Sequence, residues 1–361
     1  MSYMNRILSG LFVMACASCS THTPSPSSIQ TVSYTTDAFE VIDLSQERSE
    51  EVSADSMLMG RPFEIRVVSD SLLAINDAGA EKLLWLLNPH THAFSACVDR
   101  GEGPEEMLFI SNLWMDGQTL CAGGMQDNKI VRFNFTSSPL AVVPQQVCRT
   151  SFPFIRAASW GEDGYLVVPM VHQSDRYYTI DSAGNVQDTV GVYPEVLMPE
   201  EIQPNNSMFQ TRLAVSPDRS HLVSANQTWN TIEVYDATFQ STLLLKGPIE
   251  METEVKKIES PIGVRYGQKP GWNLFCGVSA TDSGFWVGYI GMRLEKREDV
   301  SRGISAILSF AWDGTPCRMY RLGEEVVAFD IDEQGNALYA IANRPDPTIV
   351  RYSLPAEHPS H

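Results

Sequence analysis

The stretch Gln210–Lys246 limits the fold more than any other. Gln210–Ser216 (QTRLAVS) alternates polar and apolar residues as a strand does, and Pro217-Asp218-Arg219 turns it. His221–Asn226 (HLVSAN) is a second short apolar run, Thr231–Asp236 (TIEVYD) alternates strictly, and Ser241–Lys246 (STLLLK) follows after Ala237–Gln240. Four strands this short, joined by turns this tight, predict an antiparallel meander, the unit of a β-propeller blade.

The meander recurs. Copies begin at Glu64, Phe109, Phe154, Gln210 and Leu274, and a sixth starts at Val326–Ile331 and ends with Thr348–Ser353, one strand short. An acid follows each first strand, at Asp70, Asp116, Asp163, Asp218, Asp282 and Asp332, spaced as propeller blades with loop insertions are. Surplus strand material precedes the first copy, at Thr31–Tyr34 and Phe39–Leu44 (FEVIDL). A ring must leave no open edge, so the expected fold is all-β: a six-bladed β-propeller of four-stranded antiparallel blades. The N-terminal strand Phe39–Leu44 is expected to complete the last blade and close the ring.

The first residues have the character of an export signal. Met1–Arg6 is a short basic region, Ile7–Ala15 is apolar but too short to span a bilayer, and Ala17-Ser18 precede Cys19. Small residues before a cysteine resemble the lipobox of bacterial lipoproteins, in which the cysteine is acylated. Cys19 is the expected site and Cys16 the alternative; Cys16 also departs from the Leu or Val usual three positions before the acylated residue. The domain organisation expected is a lipoprotein signal peptide over 1–19, a flexible Ser/Thr/Pro tether over 20–30, one propeller over 31–355 and a tail over 356–361. No acidic cluster follows Cys19, which favours the periplasmic side, at the outer rather than the inner membrane.

A net charge of -18 argues against nucleic-acid binding, which needs a basic face. The five later cysteines, Cys97, Cys121, Cys148, Cys276 and Cys317, are scattered without metal-ligand spacing, and no disulfide framework or cofactor is expected. Cys121 and Cys276 fall in apolar strand patterns and are expected to be buried as small hydrophobes.

Between the first two copies, Gly101, Gly103, Pro104 and Glu106 shape a tight turn in Arg100–Met107 (RGEGPEEM), expected to carry a glycine of positive φ. Gly-x-Gly-Pro-x-Glu resembles the signature of the TolB-like six-bladed β-propeller lipoproteins of Gram-negative bacteria. Gly60–Ile65 (GRPFEI) is similar to that family's approach to its first blade, and the layout matches from the lipobox to Ser353. Glu105 stands where the family usually has a third glycine. The resemblance implies fold and compartment and little chemistry.

Arg156 and Arg212 each lie ten residues before the leucine of the next strand, Leu166 and Leu222, and Arg66 is near the corresponding place in the first copy. Innermost strands line the channel, so these guanidiniums are expected to converge on an anionic group, unless neighbouring carboxylates pair with them. Asp330-Ile-Asp332 resembles the start of a calcium loop without its closing acid and is better explained as a strand ending in a turn. Asp330 would hold a divalent metal only if the protein were a propeller hydrolase. The function expected is a lipid-anchored extracytoplasmic binding or scaffold module, with membrane attachment through the lipid. A protein or small anionic ligand would sit at the channel mouth or on the 247–271 loop. The alternatives are a metal-dependent hydrolase of the lactonase type and a sensor-like partner of an envelope complex.

Overall fold

The second strand of each meander explains the architecture. Leu72–Asp77 and Ala337–Ala342 are buried at every residue. A strand with apolar side chains on both faces must be covered on both, and stacking one blade against the next does so. The computed structural model describes residues 28–46, 49–53, 56–170, 176–194, 206–251, 254–260, 263–294 and 303–355. Both candidate lipidation cysteines, most of the tether, the tail 356–361 and most of the charged segment Met292–Gly303 lie outside the described residues.

Three antiparallel four-stranded sheets form the first three blades, and Thr211–Val215 to Ser241–Lys246 forms the fourth. The last two share one eight-stranded sheet, because Pro316–Asp332 runs on continuously. Its first half is the outer strand of the fifth blade, and its second half is the inner strand of the sixth. Six apolar clusters fill the six seams between neighbours. They include the seam where Ala328, Tyr339 and Ile349 of the sixth blade meet Ile65, Leu73 and Ile75 of the first.

The N-terminal segment follows a different course from the one expected. Phe39–Leu44 does not complete the last blade: Glu40–Asp43 pairs in parallel with Arg318–Arg321, at the outer edge of the fifth blade. Thr31–Ser33 belongs to Ser28–Ser33, which adds in parallel to Ser241–Lys246 of the fourth. Among the described residues the outer strand of the sixth, Thr348–Ser353, pairs with Glu50–Glu51 at Val350 and Arg351. The apolar residues of this segment explain its course. Tyr34 and Phe39 lie edge-on to Phe310, each 5.2 Å from it, in the seam between blades four and five. Leu44 enters the next seam, and Val52 and Met57 the one after. The segment therefore fills three consecutive seams from outside, and hydrophobic burial, rather than edge pairing alone, sets its register.

The signature turn encloses a buried cation. Lys129, fully buried, donates from Nζ to the carbonyls of Gly103, at 3.2 Å, and Glu106, with Asp127 Oδ2 at 3.6 Å. Burial pushes the Lys129 pKa down, against the pull of Asp127. The Glu106 carboxylate accepts the Gly103 N–H at 2.9 Å. A Cβ on Gly101 would sit 2.0 Å from Glu106 Oε2, and one on Gly103 2.9 Å from the same atom. A side chain at either glycine would displace the Glu106 carboxylate that accepts the Gly103 N–H; neither glycine has positive φ, contrary to the sequence expectation. Glu105 points to solvent, so the turn accommodates its side chain.

Phe39→Ala should destabilise the protein by about 3–4 kcal/mol. Val41→Ala, at a position 45% exposed, should change stability by under about 0.5 kcal/mol. Urea titrations of the two variants check the seam-filling role; equal midpoints would refute it. Lys129→Met leaves two carbonyls and Asp127 without their cation, and should cost about 3 kcal/mol in the same measurement.

Candidate functional site

The inner strands Pro62–Ser69, Asn112–Asp116, Phe154–Trp160, Thr211–Val215 and Gly271–Ala280, with the second half of Pro316–Asp332, line a central channel. It contains two cavities. One, of about 250 Å³, lies toward the first residues of these strands, with Phe63, Glu64, Arg156, Arg212 and Phe329 in its wall. The other, of about 240 Å³, lies toward the last residues, with Trp114, Asp116, Ser159, Arg219 and Asp330. Arg66 borders both.

Arg66 forms the partition. Its Nη2 is 3.0 Å from Glu64 Oε1, its Nη1 3.7 Å from Asp330 Oδ1, and its Nε donates to the Leu113 carbonyl at 2.8 Å. Glu64 Oε2 accepts the Leu113 N–H at 2.9 Å, and Asp330 Oδ2 accepts that of Val67 at 2.8 Å. Burial pushes the Glu64 carboxyl above its ordinary pKa, although Arg66, the Leu113 N–H and Arg212 pull the other way. Arg66 is thus paired with neighbouring carboxylates, Glu64 and Asp330.

Arg156 and Arg212 are not. Among the described residues neither has a carboxylate within ion-pairing distance. Arg156 Nη1 donates to the Ser111 carbonyl, and Arg212 Nη2 to Gln227 Oε1 at 3.1 Å. Gln227 in turn donates to Asn273 Oδ1 at 3.2 Å. Among the described residues, the Nε of each guanidinium is buried without a hydrogen-bond partner. Their equal register is only approximate: Arg212 faces Ala225, three residues beyond Leu222, whereas Arg156 faces Val168, two residues beyond Leu166. Both still line the same cavity. Cys276 shares its wall and is only half-buried, its Sγ 4.0 Å from Arg212, unlike fully buried Cys121.

At the other end, Asp116 is an anchor rather than a simple turn acid. It pairs with Arg132 of its own blade and with Arg219, which comes from the fourth blade and also donates to the carbonyls of Gly161 and Glu162 in the third. Burial raises the Asp116 pKa, but the two arginines bring it below the ordinary carboxylate value. Asp330 is held by Val67 and Arg66, and Asp332 accepts the Gly335 N–H at 2.8 Å, as a strand-ending turn requires. Among the described residues no three His, Cys, Asp or Glu side chains gather as a metal site would need.

Two features escaped the sequence reading. Glu64 is two residues from Arg66 on one strand, so the strand period alone places both on the channel face. Arg176 offers no such signal. Fully buried between blades three and four, it pairs with Glu233 at 2.9 Å and lies 4.6 Å from the Phe209 ring, 5.0 Å from Tyr193 and 5.2 Å from Tyr177. The insertion Gly247–Gly271, expected as a loop, carries a hairpin of Glu254–Ser260 and Gly263–Lys269, with Val255 packed on Met208, Phe209 and Trp229.

Solved structures share the fold. A "putative exported protein" of Bacteroides fragilis aligns with a TM-score of 0.51 at 12% identity, over 90% of this chain and 98% of its own. A member of the DUF4221 family from Bacteroides vulgatus aligns at 0.52 and 10% identity, over 84% of this chain and 96% of its own. No curated protein matches the sequence. The family model described as "TolB-like 6-blade propeller-like" matches residues 40–334, which takes in all six inner strands, and the chain belongs to that TolB-like family.

Proposed function

We propose that this chain is a lipid-anchored extracytoplasmic binding module that holds a small anionic ligand in its channel. The observation that carries the reading is the pair Arg156 and Arg212: two guanidiniums on one cavity wall, without carboxylate partners among the described residues, each with a buried unsatisfied Nε–H. A buried donor left unpaired costs about 1–3 kcal/mol, and neighbouring cations repel, so an anion between them offsets both. Guanidinium forks suit carboxylate or phosphate oxygens, and about 250 Å³ suits a small molecule. Phe63 and Phe329 give the same cavity an apolar wall.

The compartment rests on the basic and apolar N-terminal stretch before Cys19 and on the exported description of the Bacteroides fragilis neighbour. Acylation at Cys19, with Cys16 as the alternative, would fix the protein to the periplasmic side of the outer membrane. A second reading, contact with an envelope protein, is favoured by the hairpin Glu254–Ser260/Gly263–Lys269, a sheet separate from the ring. The hydrolase reading has no observation in its favour, since both oxygens of Asp330 are engaged by its own neighbours.

Thermal melts with phosphate, sulfate and acidic sugars should show anion-induced stabilisation of the wild type. Arg156→Met and Arg212→Met should each abolish it while leaving stability within about 1 kcal/mol. A loss of about 3–5 kcal/mol with no anion effect in the wild type would make these residues architectural. Because the Glu64 pKa is raised, its negative charge is lost as pH falls through that value, so anion affinity should rise on acidification. Glu64→Gln should flatten that dependence.

Cys19→Ala should leave the protein unprocessed or shift it out of the membrane fraction, since acyl burial is worth roughly 0.8 kcal/mol per CH₂. If only Cys16→Ala does so, the anchor is Cys16; if neither does, there is no lipid anchor.

A further inference from the structure

Blades four and five each carry an extra strand added in parallel to the outer edge, and apolar side chains from the same segment enter three successive seams. The ring's perimeter is therefore built to accept an extended chain. The seam between blades one and two has the same form and holds an open groove of about 520 Å³. On one side is the edge strand Phe94–Asp99, with Leu140–Arg149 on the other, each paired on one side only among the described residues. Ala96, Cys97, Phe133, Leu140 and Val142 supply an apolar floor.

Exposed edges are ordinarily protected by charge or proline. Leu140–Arg149 has Pro144, and the outer strand of the third blade, Val186–Val190, has Asp188. Ser95 to Val98 has neither, and Ser95, Ala96 and Cys97 are half-buried within the groove. The rim is acidic. Glu105, Glu106 and Asp99 stand there, with Glu102 exposed on the same turn, against Lys82, which pairs with Asp99 at 2.6 Å, while Arg100 points away to the carbonyls of Ala78, Ala80 and Leu108.

We infer that this groove docks an extended, basic segment of a partner protein. The segment adds as a strand to Phe94–Asp99, sets an apolar side chain on the Phe133–Leu140 floor, and places Lys or Arg beside Glu102 and Glu105. Backbone pairing supplies affinity, and the floor and the acidic rim supply selectivity.

The test is photo-crosslinking of the full-length protein in its own cells, with p-benzoylphenylalanine at Ala96 or, as a control edge, at Gln187. Position 96 should give one discrete adduct and position 187 none. Mass spectrometry of the adduct should return a peptide of net positive charge from another protein. Glu102→Lys combined with Glu105→Lys should reduce the adduct at least about tenfold, with an unchanged melting temperature as the folding control. Both glutamates are exposed and outside the Lys129 contacts, so the double variant should fold. No adduct at 96, an acidic peptide, a peptide from a second copy of this chain, or indifference to the charge reversal would each overturn the inference.

Discussion

Two-sided burial of the middle strands is the constraint on which everything else depends. A strand such as Leu72–Asp77 or Ala337–Ala342 has no face that tolerates water, so no blade is stable alone. Stacking blades in sequence order satisfies all but the last, and the seam between the sixth and first blades satisfies that one. The N-terminal segment extends the same principle outward. Tyr34, Phe39, Leu44, Val52 and Met57 cover seam edges that the blades leave open.

Charges embedded in the seams give this apolar ring a defined registry. Lys129 holds the turn before the second blade, Arg176 with Glu233 holds the third blade to the fourth, and Arg219 reaches across the third blade to Asp116 in the second. Each is satisfied mostly by carbonyls or by one carboxylate on a neighbouring element, so sliding a blade would strand a buried charge. Such pairs contribute little net stability over an apolar replacement but penalise alternative packings strongly. The Gly-x-Gly-Pro-x-Glu signature belongs to this class, since its glycines and its glutamate shape the cradle of Lys129.

The channel combines the two themes. The Glu64–Arg66–Asp330 partition is a satisfied ion-pair group, and among the described residues it leaves Arg156 and Arg212 without an ion-paired carboxylate of their own. In a chain of net charge -18, that local excess of positive charge contrasts with the rest of the surface. It supports reading the cavity as a place for an anion rather than as leftover space.

The period-two alternation and the recurrence of the meander determined the fold class, the number of blades and the identity of the inner strands, because those depend on local pattern. They also placed Arg156 and Arg212 on inner strands, which line the channel. The destination of Phe39–Leu44 was not legible: its pattern says strand, but only the packed seams decide which edge it joins, and Phe39 joins Phe310 in the fifth blade. Nor could sequence tell Arg66, paired with Glu64, from Arg212, supported by Gln227, because those partners are fixed by side-chain geometry. Arg176 and Glu233, 57 residues apart, become one ion pair only when two blades stack and exclude water.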